Sequence, residues 1–232
     1  MNSSDAKRYA RQLILPEIGV AGQQRLRDAR VLLVGVGGLG SPIALYLAAA
    51  GVGCLALIDN DVVSESNLQR QVLYTNDEIG QPKVRCAARR LKALNPQLQV
   101  DEYPLRLVPP LARHIVKAYD IVVDGTDNFQ TRYLLGDVTA QLGKPYVYGA
   151  IREFEGQVSV FNISPGRTYR TLFPEEEMGG VPPKGVMGVL PGVIGCVEAS
   201  EVIKWITGCG ELLDGRLWTI NLLTMQTQVI EY

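Results

Sequence analysis

Val31-Leu-Leu-Val-Gly35-Val-Gly37-Gly38-Leu-Gly40 runs into the apolar stretch Ser41–Ala50, and Ala56-Leu-Ile-Asp59 follows. The order is a continuous apolar strand, a glycine turn, a helix and a second apolar strand that ends on an acid. Gly35, Gly37 and Gly40 have the spacing G-x-G-x-x-G. In a strand–turn–helix setting the first glycine permits the tight turn. The second lets backbone N–H groups approach a phosphate, and the third lets helix and strand pack closely. Asp59, at the tip of the second strand, is placed to accept hydrogen bonds from a ribose. By themselves these residues indicate a nucleotide site, most often for a dinucleotide. The plainer alternative is a structural turn without ligand, with Asp59 capping the turn that follows.

The stretch 31–58 carries no charged residue and is long enough to cross a bilayer. Its glycines and Pro42 divide it instead into strand, turn, helix and strand. A parallel strand covered on both faces is expected to be an unbroken apolar run. Further strands are expected at 98–103, 120–124, 146–150 and 157–162, and helices at 41–50, 82–94, 110–118, 129–142 and 193–207. Ser41 and Pro42 suit a helix start, and Asn95-Pro96 suits a helix end. Residues 5–28 have the spacing of one or two amphipathic helices, and 164–191 reads as a long loop rich in Pro, Gly and Glu. The segments 217–222 and 226–231 read as late antiparallel strands. The expected fold is α/β: a Rossmann-like doubly wound sheet with a parallel core and additional antiparallel strands in the C-terminal part. A single domain over 1–232 is expected.

The sequence has 232 residues, 47% hydrophobic and 20% charged, with a formal net charge of −1. That balance gives no electrostatic case for nucleic acid or an anionic membrane as partner. Cys54, Cys86, Cys196 and Cys209 form no C-x-x-C pair, and no signal peptide is recognised, so a cytoplasmic protein with reduced thiols is expected. His114 is the only histidine, which removes most histidine-based catalysis and metal binding.

Four segments carry polar chemistry. They are Arg8-Tyr9-Ala-Arg11-Gln12, Asp59-Asn-Asp61 with Ser66-Asn67-Leu68-Gln69-Arg70-Gln71, Gly80-Gln-Pro82-Lys83, and Asp124-Gly-Thr126-Asp127-Asn128. Three of them follow strands, at the sheet edge where open α/β sheets bind ligands. They offer a carboxylate for ribose, cations and amides for a polyphosphate, and a second carboxylate for Mg²⁺. That set suits phosphoryl or nucleotidyl transfer, which works by positioning and charge neutralisation. Hydride transfer needs fewer cations.

Together with Arg152-Glu-Phe-Glu-Gly-Gln157, Gly185-Val-Met187 and Gly192-Val-Ile-Gly195, these motifs resemble the bacterial ThiF/MoeB/HesA family over nearly the whole chain. Its members are relatives of the adenylating domain of ubiquitin-activating enzymes. The resemblance implies an ATP- and Mg²⁺-dependent adenylyltransferase. Its protein substrate would be a ubiquitin-like sulfur carrier ending in Gly-Gly, activated as an acyl-adenylate for thiamine or molybdopterin synthesis. It also implies a homodimer. Residue by residue, it implies that Gly35, Gly37, Gly38 and Gly40 contact the nucleotide and that Asp59 binds the ribose. It places Ser66, Asn67, Leu68, Gln69, Arg70 and Lys83 around the triphosphate, with Asp127 on Mg²⁺ and Asn128 in the same loop. Arg11 would reach the partner subunit's ATP site, so Arg11, Arg70, Lys83 and Asp127 form the expected catalytic set. Taken alone, Arg70, Lys83, Arg8 and Arg11 also read as solvated charges, and Asp124 reads as a residue closing its own turn.

Two departures narrow the expectation. Many relatives carry a zinc knot of two C-x-x-C pairs. Here the first pair's positions read Thr168-Tyr-Arg-Thr171 and no second pair is found, so no zinc is expected. Some relatives carry a cysteine in the crossover loop, where Val181 stands here, and 174–184 has none. Cys196 and Cys209 read as core residues. Chemistry is therefore expected to stop at the adenylate, with sulfur arriving from an external persulfide donor. The alternatives are an NAD-dependent oxidoreductase, which leaves Asn67–Arg70 and Asp127 without purpose, and a nucleotide-binding relative that has lost catalysis. The sequence does not name the carrier.

Overall fold

The computed structural model describes residues 3–174 and 185–232. One eight-stranded sheet runs through it in the order β3-β2-β1-β4-β5-β6-β7-β8. Its strands are β1 (Arg30–Val34), β2 (Cys54–Ile58), β3 (Gln99–Tyr103), β4 (Ile121–Asp124), β5 (Tyr146–Arg152), β6 (Glu155–Phe161), β7 (Arg216–Asn221) and β8 (Gln226–Glu231). The first five pair in parallel and the last three antiparallel. The 3-2-1-4-5 order places a topological switch between β1 and β4, where ligands of such sheets bind.

The central strands are apolar without a break because both faces are covered. Val31 and Leu33 of β1 and Leu55 and Leu57 of β2 enter one core; α4 (Gly40–Ala50), α5 (Lys83–Leu94) and α9 (Leu190–Thr207) supply residues to the same core. Leu32 and Val34 of β1 and Ala56 and Ile58 of β2 enter the other, with residues of α6 (Pro109–Lys117), α7 (Phe129–Leu142) and the short α8 (Tyr169–Leu172). This period-2 division is the pattern of a sheet covered on both sides. Among the described residues no helix is long and apolar enough to cross a membrane.

The N-terminal region forms three helices rather than one or two: α1 (Ser3–Arg8), α2 (Ala10–Leu13) and α3 (Gly19–Asp28). Pro16 and the positive φ of Gly19 separate the last two. The expected loop 164–191 is only partly irregular. Thr168 and Thr171 close a reciprocal cap that starts α8, and α9 begins at Leu190 because Pro191 is tolerated in a first turn. Val186 also makes an isolated bridge with Glu153. The reading placed on Val181 falls outside the described residues.

Candidate active site

β1 is followed by Gly35, whose φ of 87° favours glycine. The turn is pinned from two sides: Asp59 Oδ2 accepts the Val36 N–H at 2.8 Å, and Tyr74 Oη donates to the Val36 carbonyl at 2.6 Å. The loop after β4 lies directly against it. A Cβ on Gly125 would come within 2.3 Å of the Gly35 carbonyl oxygen, so the two loops touch backbone to backbone.

A cleft of about 1420 Å³ opens over this junction. Its walls at the glycine turn include Gly35, Gly37, Gly38, Asp59, Asp61, Arg70, Lys83, Asp127 and Asn128. It continues past Tyr148, Arg152 and Gln157 and along Thr219, Asn221, Gln226 and Gln228 of β7 and β8. One trough therefore joins the glycine turn to the antiparallel half of the sheet.

Asp59 serves the turn and faces the cleft at once. Oδ1 accepts the Asp61 N–H at 2.8 Å, and each carboxylate oxygen keeps further acceptor capacity. Lys83, the first residue of α5, is 4% exposed, and its Nζ lies 3.0 Å from Asp61 Oδ2. Arg70 donates through Nη1 to the Ser66 carbonyl at 3.0 Å. Asp127 is exposed on the cleft wall and has no hydrogen-bond or ion-pair partner among the described residues. Asn128 caps α7, its Oδ1 accepting the Thr131 N–H at 2.9 Å. Asp124 closes the loop from beneath, Oδ1 accepting both the N–H and the hydroxyl of Thr126 at 2.8 and 2.6 Å.

Some predicted residues stand elsewhere. Ser66, Asn67, Leu68 and Gln69 are not on the cleft wall. Asn67 makes a reciprocal cap with Ser64, and Leu68 packs on the core. Gln69 lies against Gly188, where an added Cβ would meet its carbonyl oxygen at 2.4 Å. Gly40 is buried against the Gly35 carbonyl, so it serves the helix–strand contact. Arg11, on α2, is exposed and is likewise not on this wall.

Cys196 and Cys209 are partly exposed, contrary to the core placement expected from the apolar helix, whereas Cys54 and Cys86 are buried. Burial pushes the Cys54 thiol up to about 12 and raises Cys86 and Cys196 as well. None of these three is poised as a thiolate. Where a zinc knot would begin, the Thr168 N–H donates to Thr171 Oγ1 at 3.1 Å, and Tyr169 fills an aromatic cluster with Tyr133, Tyr148 and Phe161.

The sequence reading gave Gln71 no role of its own, though it is buried beside Gly37, and it missed Arg132 and Tyr148, which line the cleft from beneath. The one available signal was an arginine one turn into α7, after the Asn128 cap.

The sheet order and the glycine turn with its facing acid define a nucleotide-binding protein of the Rossmann-like class. Within that class the chain belongs to the ThiF family, whose sequence model matches residues 9–232. It is 49% identical over 225 residues to the sulfur carrier protein adenylyltransferase of Thermus thermophilus, covering 93% of this chain and 83% of that protein. It is 47% identical over 238 residues to the probable adenylyltransferase/sulfurtransferase MoeZ of Mycobacterium tuberculosis. That match covers 99% of this chain, and the chain spans 61% of the length of that relative. The fold matches the crystal structure of Escherichia coli MccB with ATP at a TM-score of 0.84 and 24% identity, over 100% of this chain and 72% of that one.

Proposed function

We propose that the protein adenylates the C-terminal carboxylate of a ubiquitin-like sulfur carrier ending in Gly-Gly, using ATP and releasing pyrophosphate. The observation that carries this reading is the single trough. One end has the glycine turn, a ribose-type acid and two cations. The other is a groove along β6–β8 lined by the amides of Gln157, Asn221, Gln226 and Gln228 and the hydroxyl of Thr219, groups that suit the backbone of an extended peptide tail. The relatives' names, adenylyltransferases in both cases, support it.

In this reading Gly37 and Gly38 lie under the phosphates, and Asp59 accepts from the ribose. Arg70 and Lys83 offset the charge of the triphosphate. The attacking carboxylate and the α-phosphate are both anionic, so their approach depends on fixed positive charge and on preorganised geometry. Asp127 fits a magnesium site: an exposed, unpaired carboxylate beside the phosphates is the single protein ligand that Mg²⁺ commonly takes alongside substrate oxygens. When bound, the ion supplies charge neutralisation at the phosphates. Arg11 completes the site from the partner subunit of a homodimer, in keeping with its place off its own cleft wall. Sulfur then arrives from an external persulfide donor, in a cytoplasmic pathway to thiamine or molybdopterin.

ATP–pyrophosphate exchange, run with candidate carriers ending in Gly-Gly, tests the proposal. Exchange that needs both carrier and Asp127 is expected. NAD binding tighter than ATP, with no exchange for any carrier, overturns it.

A further inference from the structure

Beneath the Asp127 loop lies a buried charge cluster that neither the glycine turn nor the peptide groove accounts for. Arg132 is 7% exposed, and Asp124 and Glu198 are fully buried. Arg132 Nη2 donates to the Thr126 carbonyl at 2.9 Å, which fixes the peptide immediately before Asp127. Its Nε lies 3.8 Å from Asp124 Oδ2, and its guanidinium sits 5.5 Å from the Tyr148 ring centre and 5.7 Å from that of Phe129. Asp124 is held in turn by Thr126 and by Tyr146, whose hydroxyl donates at 2.6 Å. Glu198 of α9 packs on β5 so closely that a Cβ at Gly149 would lie 2.4 Å from its carboxyl. Neither of its oxygens has a hydrogen-bond partner among the described residues.

We propose that Arg132 is the positioning residue of the site: it holds the Thr126 carbonyl and thereby aims Asp127 at the nucleotide, with Asp124 as its ionic counterpart. This rests on the adenylation reading for what Asp127 faces, and on the hydrogen bonds alone for how the loop is held. Charge counting assigns the states. Two fully buried acids share one arginine that is itself only 7% exposed, at the floor of the cleft, so a neutral acid balances the cluster. Burial raises the Asp124 carboxyl too, but Arg132 and the three hydrogen bonds that it accepts from Thr126 and Tyr146 oppose that and favour its ionised form. Glu198 accepts none, and burial together with the nearby Asp124 pushes its carboxyl well above the ordinary range, against the pull of Arg132. A neutral Glu198 leaves Arg132 free to serve Thr126.

The test compares Arg132→Lys, which keeps a charge but loses the planar fork, with Arg132→Ala and with Tyr146→Phe. Loop misplacement lowers kcat, not nucleotide affinity. Arg132→Lys is expected to reduce kcat for exchange on the order of 10²-fold. The KM for ATP should move less than about 3-fold, because uniform binding is intact. Tyr146→Phe should act in the same direction more weakly. A rise in KM with kcat unchanged overturns the proposal, since Arg132 would then bind nucleotide directly. Loss of activity only in step with loss of folded protein overturns it too. Hydrogen exchange of the 125–128 amides gives a readout that needs no carrier. Faster exchange in folded Arg132→Lys is expected, and unchanged exchange refutes the positioning role even if no carrier supports turnover. Absent wild-type exchange activity alone counts against the adenylation reading instead.

Discussion

Glu198→Gln is expected to stabilise the protein at neutral and alkaline pH. Burial favours a proton on Glu198 in the folded state, because among the described residues its oxygens have no donor and the carboxyl is fully buried. The groups facing it are Asp124 of β4, Arg132 of α7 and Tyr148 of β5. α4, which also packs on α9, carries no acid or base except the exposed Tyr46, and α3 is tied to α9 at Thr207, through Arg25.

In the unfolded chain a glutamate titrates near about 4.3, so keeping the proton at pH 7 costs about 3.7 kcal/mol, at about 1.4 kcal/mol per pH unit. Glutamine has the same shape and escapes that cost. Its own amide, buried without a full set of partners, returns roughly 1–3 kcal/mol of penalty. A net gain of about 1–3 kcal/mol at pH 7 follows, which for a chain of this size is a rise in melting temperature of roughly 2–10 °C. The folded value is raised above the unfolded one. The glutamate's contribution is therefore fully present below about 4.3 and is lost as pH climbs toward the folded value. The gain from glutamine grows over the same window and is absent at its acidic end. Thermal denaturation of both proteins between pH 4.5 and pH 8 measures it. A pH-independent difference, or a variant less stable at pH 8, would show that Glu198 is ionised in the folded protein.

Arg11→Ala and Asp127→Ala should each abolish exchange alone, and mixing them should restore activity through one intact site per heterodimer; no recovery in demonstrated heterodimers places Arg11 outside the partner's site. Purified without chelators, the protein should hold no stoichiometric zinc, because Thr168 and Thr171 are engaged with each other at the position of the first ligand pair. Elemental analysis finding one zinc per chain would overturn that accounting. Replacing all four cysteines, by Ala at Cys54 and Cys86 and by Ser at Cys196 and Cys209, should leave adenylate formation intact in whatever fraction folds. A carrier isolated in covalent linkage to any of them on the route to product would refute a cysteine-free mechanism.

The central sheet could be read from the chain because its rules are local. Val31–Val34 and Cys54–Ile58 are unbroken apolar runs, and the apolar stretch after the glycine turn forms α4. The glycine turn and Asp59 were visible for the same reason: a fixed spacing imposes a fixed geometry. What stayed hidden depends on packing. Arg132 and Glu198 look in sequence like ordinary helix charges, and only the fold reveals that both are enclosed. Asn67 belongs to a family motif, yet its side chain is consumed by the Ser64 cap. The cap at 168–171 is harder to see, because its two threonines occupy the positions of a zinc knot's first cysteine pair.

The adjacency of β1 and β4 bears on how the molecule assembles. The Arg30 amide meets the Asp120 carboxylate 90 positions further along the chain, and Val31 through Val34 pair with Ile121 through Asp124. A long loop must close before the glycine turn meets its companion loop, and closures of that span are slow relative to local hairpins and helices. A chain emerging from the ribosome therefore has the first half of its nucleotide cradle long before the second exists. If the adenylation reading holds, binding of ATP would report that the distant halves have met, and by favouring the closed species it would act as a ligand for the last stage of folding.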